Sequence, residues 1–518
     1  MWQVGGSESE SRLWLGVALW LVAGIVVRAV LSAMVPLLPD ETYYWDWSRR
    51  LAAGYFDHPP GIAFLVAMGT ALMGPTRAGV RAGPALAALL THIAAVICAH
   101  NLGVRNGSGA RAALRAAAVL TVMPIATLGL VLATPDALLF MAAMLALLAV
   151  ERALMADPGG RSSLFWWCLA GLGLGLAFVA KYTAVLLPAG LVIAFLVHPV
   201  LRPRFKEPGP WVASLLALLV FAPVVIWNAG HDWVSFRFQL NHGFTPSVRG
   251  SPLSRELEMI GGQAGLASPI LFVLMAWAVF DAIAKGWRER RMEPTRKYAA
   301  QQFAIAFTAL VPLLFFAVSA WRRSVEANWP AMIYPGAVVL LASNRASWAS
   351  GKWYRRGLGL GALLIAVVAL QAWKPLLPLA PAKDPIARAW GWDQLALSTA
   401  QAMDDTFLEE TSRRWVAADR YQDASELAFH LPGQPRVFSL NLGGRANQYD
   451  LWAQLADSLQ GTDGLVAVFT ADAKGDSLAA TVASWFLNSR QGPDAVLQRD
   501  GGEITRRRLW LYSGARDF

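Results

Sequence analysis

Long apolar stretches recur through the first 373 residues of this 518-residue chain and limit the folds that it can adopt. A helix needs about 20 apolar residues to cross a bilayer, and repeated stretches of that length are too long for a soluble core. Only 15% of the residues are charged, against about 25% in soluble proteins. We therefore predict a polytopic α-helical membrane protein with about eleven crossings. The predicted spans lie near residues 13–35, 82–98, 113–155 (two spans), 164–198 (two spans), 210–227, 266–284, 301–320, 330–343 and 357–373.

The basic residues indicate how these spans are oriented, because cytoplasmic loops of membrane proteins are enriched in lysine and arginine. With the N-terminus in the cytoplasm, the predicted inner loops hold eighteen Lys and Arg residues and the outer loops hold nine. This arrangement requires two spans within 164–198, with Lys181 at the outer tip between them. The net charge of +10 then follows from the basic residues that gather in cytoplasmic loops, and we expect membrane lipids rather than nucleic acid as partners.

The character of the chain changes near residue 378. No later stretch is long enough to cross a membrane, and short apolar segments alternate with amphipathic ones, which is typical of a small α/β domain. We predict a transmembrane domain over residues 1–378 and an α/β domain over 379–518, which eleven crossings place on the outer, periplasmic side. The two cysteines, Cys98 and Cys168, lie in apolar runs and form no disulfide framework.

An unusual polar stretch, residues 39–60, follows the first predicted span. It contains four acids, one histidine, two arginines and six aromatic residues. Carboxylates this close to a membrane span cost free energy unless they are hydrated or paired, so the stretch indicates a functional site. Two simpler interpretations stay open: Asp40 could cap a helix that begins at Pro39, and the aromatic residues could form an interfacial belt.

Other polar residues are predicted on the same outer side, where an acceptor and an activated donor could meet. Asp40 or Glu41 could be a general base, which must lie within hydrogen-bond reach of the attacking group. Lysine and arginine suit a phosphate leaving group by charge and by hydrogen bonding. The residues that could contact substrate or phosphate are Lys181, Asp136, His58, Arg322, Arg323 and Glu326. The trio Asp57, His58 and His231 could bind a divalent metal if the fold brings them together, and His242 is a further possible ligand.

Each of these candidates also has a structural interpretation. Asp136 could be only a turn residue after Pro135, and Lys181 could extend to lipid headgroups. Arg322 and Arg323 could likewise bind headgroups rather than substrate. For the whole protein, the alternative to an enzyme that joins such a donor and acceptor is a transporter or flippase of lipid-linked sugars. That class places acids near the middle of spans and pairs two inverted halves, which this sequence does not show.

An ordered set of motifs resembles the bacterial family 39-type glycosyltransferases, relatives of the protein O-mannosyltransferases and of the aminoarabinose transferase that modifies lipid A. The first motif is Asp40-Glu41 directly after a span, followed by an aromatic-rich segment. The other motifs follow in the order of the family, and together they cover most of residues 10 to 345. They are Asp57-His58-Pro59-Pro60-Gly61, Thr134-Pro135-Asp136-Ala137-Leu138-Leu139-Phe140, Ala180-Lys181-Tyr182-Thr183 and Glu326-Ala327-Asn328-Trp329-Pro330-Ala331.

The resemblance implies a GT-C fold and an inverting transfer on the outer face of the membrane, from a polyprenyl-phosphate-linked sugar. It implies that Asp40 is the catalytic acidic residue, with Glu41 as its neighbour in the pair. It further implies that Lys181 contacts the carrier phosphate, and that Asp57 and His231 hold a divalent metal. We therefore expect a glycosyltransferase of the bacterial inner membrane. Its expected acceptor is lipid A, lipopolysaccharide or another envelope glycan, with a protein acceptor less favoured.

Overall fold

The computed structural model describes residues 8–244, 250–406, 414–452 and 463–516. The first part of the chain is helical. Its helices are α1 (Glu8–Met34), α2 (Pro39–Ser48), α3 (Gly61–Met73), α4 (Arg77–Val104), α5 (Gly109–Val122), α6 (Pro135–Met155), α7 (Arg161–Ala180), α8 (Leu186–Val197), α9 (Pro208–Ala229), α10 (Val234–Phe244), α11 (Pro252–Ala267), α12 (Pro269–Arg288), α13 (Arg296–Ala320), α14 (Tyr334–Ser343) and α15 (Lys352–Trp373).

Eight helices in the described ranges are long and apolar enough to cross a membrane, namely α1, α4, α6, α7, α9, α12, α13 and α15. Three further apolar segments are shorter, and they are Gly61–Met73, Tyr182–Val197 and Trp329–Ser343. Helices lie in all the regions where the sequence predicted spans, and the chain breaks at Lys181 as expected for two spans within 164–198. The prediction of a polytopic helical membrane protein is confirmed, while the count of about eleven crossings stays a prediction.

The strands all lie after residue 413 among the described residues. They are β1 (Arg414–Ala418), β2 (Val437–Ser439), β3 (Gly464–Thr470), β4 (Phe486–Arg499) and β5 (Gly502–Ala515), accompanied by α16 (Trp392–Thr406), α17 (Tyr421–His430) and α18 (Ala473–Ala483). The sheet order is β2-β1-β3-β5-β4. The pairs β1–β2 and β1–β3 are parallel, and β3–β5 and β4–β5 are antiparallel. The expected C-terminal α/β fold is therefore present, and the division at residues 378 and 379 stays a prediction.

The sheet packs on the helical part through α2. The strand β3 is buried along almost its whole length, as expected for a strand covered on both faces. On one face, α17 lies between the sheet and α2, and one apolar cluster joins Trp45 and Trp47 to Val466. The ring of Trp45 meets that of Phe429 edge-on, with 5.0 Å between centroids. This arrangement places the C-terminal elements directly over the polar stretch 39–60.

The aromatic residues of that stretch form a protein core rather than a membrane belt. Tyr43, Trp45 and Trp47 are each at most 2% exposed. The ring of Tyr43 stacks near that of Tyr449, with 5.9 Å between centroids. The interpretation of these rings as an interfacial belt is therefore wrong, because the C-terminal elements cover them.

Candidate active site

The position of α2 is set by a buried ion pair between Glu41 and Arg81. Arg81 Nη2 lies 2.5 Å from Glu41 Oε2, and Arg81 Nε donates to Oε1 at 2.8 Å. The same carboxylate accepts from the backbone N–H of Ala133 at 2.9 Å and of Leu38 at 3.0 Å. Arg81 also donates to the carbonyl oxygen of Val35, at the end of α1. The contacts of Glu41 therefore tie together α2, α4, the end of α1 and the loop before α6, which indicates a structural role for this carboxylate.

A cavity of about 490 Å³ lies beside α2. It brings together four of the predicted site residues, Asp40, Asp57, His58 and Lys181. Helices α8, α10 and α13 contribute apolar walls, and the C-terminal elements contribute two further residues. Its lining includes Asp40, Tyr43, Asp57, His58, Lys181, Leu186, Phe238, Phe316, Trp329, Tyr421 and Arg445.

Two carboxylates line this cavity, and Asp40 is the one that the described residues leave unpaired. It is exposed, and within the described ranges its side chain has no hydrogen-bond or ion-pair partner. The capping interpretation is therefore wrong for Asp40, since Glu41 receives the N–H of Leu38 instead. The surrounding protein raises the pKa of Asp40 above its ordinary value by desolvation, while the charges of Arg445 and Arg388 act to lower the pKa. A raised pKa brings a carboxylate closer to the range in which a general base works well.

Lys181 is held in the cavity wall by Asp136. Its Nζ lies 2.8 Å from Asp136 Oδ1, and the side-chain amide of Asn328 donates to Oδ2 at 2.7 Å. Both charged side chains are about nine-tenths buried, at 9% and 8% exposure. Asp136 does not line the cavity, so it holds the Lys181 side chain from the protein interior rather than from the cavity. The headgroup interpretation of Lys181 is not supported by this buried pairing.

The loop that carries Asp57 and His58 is pressed against the end of α7, next to Lys181. Gly61 begins α3 where a β-carbon would lie 2.7 Å from the carbonyl oxygen of Val179, closer than real side chains come. Only glycine permits this approach of the backbones. The close contact explains why two segments that are far apart in sequence line one cavity.

Asp57 is paired with Arg445, a residue that the sequence did not indicate. Arg445 Nη2 donates to Asp57 Oδ1 at 2.6 Å, and the hydroxyl of Tyr43 donates to Oδ2 at 2.8 Å. The guanidinium of Arg445 also lies over the rings of Phe238 and Tyr421, 4.9 and 5.5 Å from their centroids. Burial raises the pKa of Asp57, and Arg445 opposes that effect. An arginine from the C-terminal elements thus forms part of the cavity.

The remaining predicted residues lie around the cavity rather than in it. Arg323 is stacked over Trp329, a lining residue, with 5.2 Å between the guanidinium carbon and the ring centroid. Arg322 and Glu326 are exposed and are not among the lining residues. The structure therefore does not bring Arg322, Arg323 and Glu326 into contact with the cavity, and their role in substrate binding stays a prediction.

The predicted metal ligands do not converge. His231 is exposed, its ring stacks on Trp227 with 4.1 Å between centroids, and it does not line the cavity. The carboxylate of Asp57 is already neutralised by Arg445. Across the described ranges there is no group of three or more His, Cys, Asp and Glu residues that could hold a metal ion, and the side chain of His242 lies outside the described residues. The arrangement does not fit a metal between Asp57 and His231.

Comparison with known proteins agrees with the fold and with the resemblance. Residues 57–227 match the family model described as dolichyl-phosphate-mannose-protein mannosyltransferase. The crystal structure of ArnT from Cupriavidus metallidurans in the apo state superposes with a TM-score of 0.63 at 17% identity, over 97% of this chain and 98% of that chain. The predicted class, a polytopic membrane protein with the GT-C fold of glycosyltransferases, is thereby confirmed.

Curated relatives of this chain include sugar transferases. Lipid A galacturonosyltransferase RgtD from Rhizobium johnstonii is 26% identical over 430 residues, 80% of this chain and 83% of the relative. Undecaprenyl phosphate-alpha-4-amino-4-deoxy-L-arabinose arabinosyl transferase 1 from Sodalis glossinidius is 28% identical over 344 residues, 60% of this chain. That match spans 56%, only about half, of the arabinosyl transferase. The chain is thus a homologue of glycosyltransferases.

The role given to Glu41 can be tested by removing its charge. Glu41→Gln leaves Arg81 buried without a counter-charge, which costs about 3–5 kcal/mol when a buried pair is broken. We expect a clearly lower thermal unfolding midpoint of the detergent-solubilised protein. Glu503→Gln, in an exposed pair with Arg506, serves as the control and leaves the midpoint unchanged. Equal midpoints for the Glu41→Gln variant and the wild type would contradict the structural role.

Proposed function

We propose that the chain is an integral-membrane glycosyltransferase that moves a sugar from a polyprenyl-phosphate-linked donor to an envelope acceptor, with Asp40 as the general base. The observation that carries this proposal is the open carboxylate of Asp40 in one cavity with Lys181 and Arg445. The relatives named for transfer to lipid A and for an undecaprenyl-phosphate-linked sugar support this donor and a lipid A or lipopolysaccharide acceptor. Another glycan or a protein is a less favoured acceptor.

The cavity suits the two ends of such a donor. Apolar side chains, among them Leu186 and Phe316, line one part of the cavity and can contact the first isoprene units of the carrier. Lys181 and Arg445 supply positive charge for the phosphate, the ammonium as a compact charge and the guanidinium through forked hydrogen bonds. Both cations are preorganised, Lys181 by Asp136 and Arg445 by Asp57, so little reorganisation is needed when phosphate binds.

In the proposed step, Asp40 accepts the proton of an acceptor hydroxyl as its oxygen attacks the anomeric carbon of the sugar. A bond forms between that oxygen and the anomeric carbon, and the bond from the carbon to the phosphate oxygen breaks. The electron pair leaves with the polyprenyl phosphate, whose growing negative charge Lys181 and Arg445 stabilise. Attack from the side opposite the leaving group inverts the anomeric centre. No step uses a metal ion.

We further propose that this cavity and the C-terminal elements lie on the periplasmic side of a bacterial inner membrane. The distribution of basic residues between alternate loops supports this orientation. A polyprenyl carrier also favours it, because such a carrier keeps its chain in the lipid and presents its phosphate at the interface. The C-terminal elements are then placed where they can contact an envelope acceptor.

The proposed function can be tested with purified protein in proteoliposomes that contain a radiolabelled polyprenyl-phosphate sugar and lipid A. We expect the label to move to lipid A in the presence of the chain, detected by chromatography of the extracted lipids. The Lys181→Gln variant is expected to raise the donor KM, because it removes a charge from the phosphate site. Label that stays on the polyprenyl carrier and only changes leaflet would contradict the proposal and favour a flippase.

The pH dependence of transfer tests the assignment of the base. Asp40 must be deprotonated to accept a proton, so the rate falls as the pH drops through its pKa, which desolvation by the surrounding protein raises above the ordinary value. The charge of Arg445 lowers that pKa, so Arg445→Gln is expected to move the acidic limb of the kcat profile to higher pH. The matched control Arg506→Gln, at an exposed arginine outside the cavity, leaves the limb in place. An acidic limb that Arg445→Gln leaves unmoved or moves to lower pH would contradict Asp40 as the base.

A further inference from the structure

A second cavity, of about 730 Å³, shares Asp40 and Tyr421 with the first. Its walls come from the start of α2, from residues 382–392, from the start of α17 and from strands β4 and β5. Because Asp40 lines both cavities, it lies at the boundary between them. A base between two cavities can meet a donor in one and an acceptor in the other.

The charged side chains that line the second cavity are three arginines and the two acids Asp40 and Asp423, so positive charges outnumber negative ones by one. Of the three arginines in its wall, Arg507 is bound to Asp423, with its Nε 2.5 Å from Oδ2 and its Nη2 3.3 Å from Oδ1. That pair is buried and its charges cancel. The other two, Arg388 and Arg420, are exposed, and within the described ranges neither forms an ion pair with a carboxylate. Two guanidinium groups are thus available to a ligand.

The two cavities differ in the chemistry of their walls. The first has an apolar part that fits an isoprenoid chain. The second has three arginines and two acids in its wall, and its aromatic members are Trp390, Trp392 and Tyr421. The ring of Trp390 carries the guanidinium of Arg499, 4.1 Å from its centroid, and Trp392 is buried, so the charged side chains are the groups most open to a ligand. The second cavity therefore fits a charged sugar headgroup better than a lipid chain.

We infer that the second cavity binds the acceptor headgroup, and that Arg388 and Arg420 recognise a phosphate carried by a glycolipid acceptor. This inference rests on the proposed function and adds the chemical class of the acceptor and the residues that select it. Arginine binds phosphate through paired, charge-assisted hydrogen bonds, and two such residues match the charge of a phosphate monoester. The acceptor hydroxyl would then face Asp40 at the boundary between the cavities, while the donor occupies the first.

The test compares the double variant Arg388→Gln and Arg420→Gln with the wild type in the proteoliposome assay. The acceptors are bisphosphorylated lipid A and the same lipid after enzymatic dephosphorylation. We expect the double variant to raise the KM for bisphosphorylated lipid A at least about tenfold, since charge-assisted hydrogen bonds are lost. We expect its donor KM to stay unchanged. The wild type is expected to prefer the phosphorylated acceptor, and the double variant is expected to lose this preference.

The control is Arg506→Gln, which removes an exposed arginine of strand β5 that lines neither cavity. An unchanged acceptor KM in the double variant overturns the inference, and so does a wild type that uses both acceptors equally. A rise in donor KM alone also overturns it, because it assigns these arginines to the donor. If the wild type transfers sugar to no acceptor, the proposed function itself fails, and this outcome is distinct from the others.

Discussion

The rest of the site depends on one buried ion pair, between Glu41 and Arg81. Its two residues are 2% exposed or less, and their contacts join α2 to the end of α1, to α4 and to the loop before α6. Helix α2 in turn carries Asp40 on its open side and the aromatic residues that receive the C-terminal sheet on the other. A shift of α2 would therefore displace the candidate base and the sheet together.

The pairing of charges also separates the acidic residues by role. Glu41, Asp57 and Asp136 each have a cation within ion-pair distance, namely Arg81, Arg445 and Lys181. Asp40 has none among the described residues. Charges at a membrane face are expensive unless they are paired or hydrated, so an open carboxylate that is retained there is a strong candidate for chemistry. In the proposed function, its neighbours hold the site or offer positive charge to a phosphate.

Much of the helical part could be predicted from the sequence, because length and hydropathy are local properties. The break at Lys181 and the C-terminal α/β pattern followed from the same kind of reasoning. Arg445 could not be predicted, because its partner Asp57 lies 388 positions earlier and only the folded chain brings them together. The role of the aromatic residues in 39–60 could not be predicted either, since an interfacial belt and a covered core have the same composition. His231 was predicted from the sequence as a metal ligand, but its ring stacks on Trp227 near the end of α9 instead.

The measurement that most directly tests the account is the turnover of Asp40→Asn in proteoliposomes, with the donor KM determined in parallel. The account predicts a loss of kcat of at least about a hundredfold with an unchanged donor KM, because a general base contributes about 10²–10⁴ in rate and does not hold the carrier phosphate. Turnover at the wild-type rate by a correctly inserted Asp40→Asn protein would contradict the central claim that Asp40 activates the acceptor.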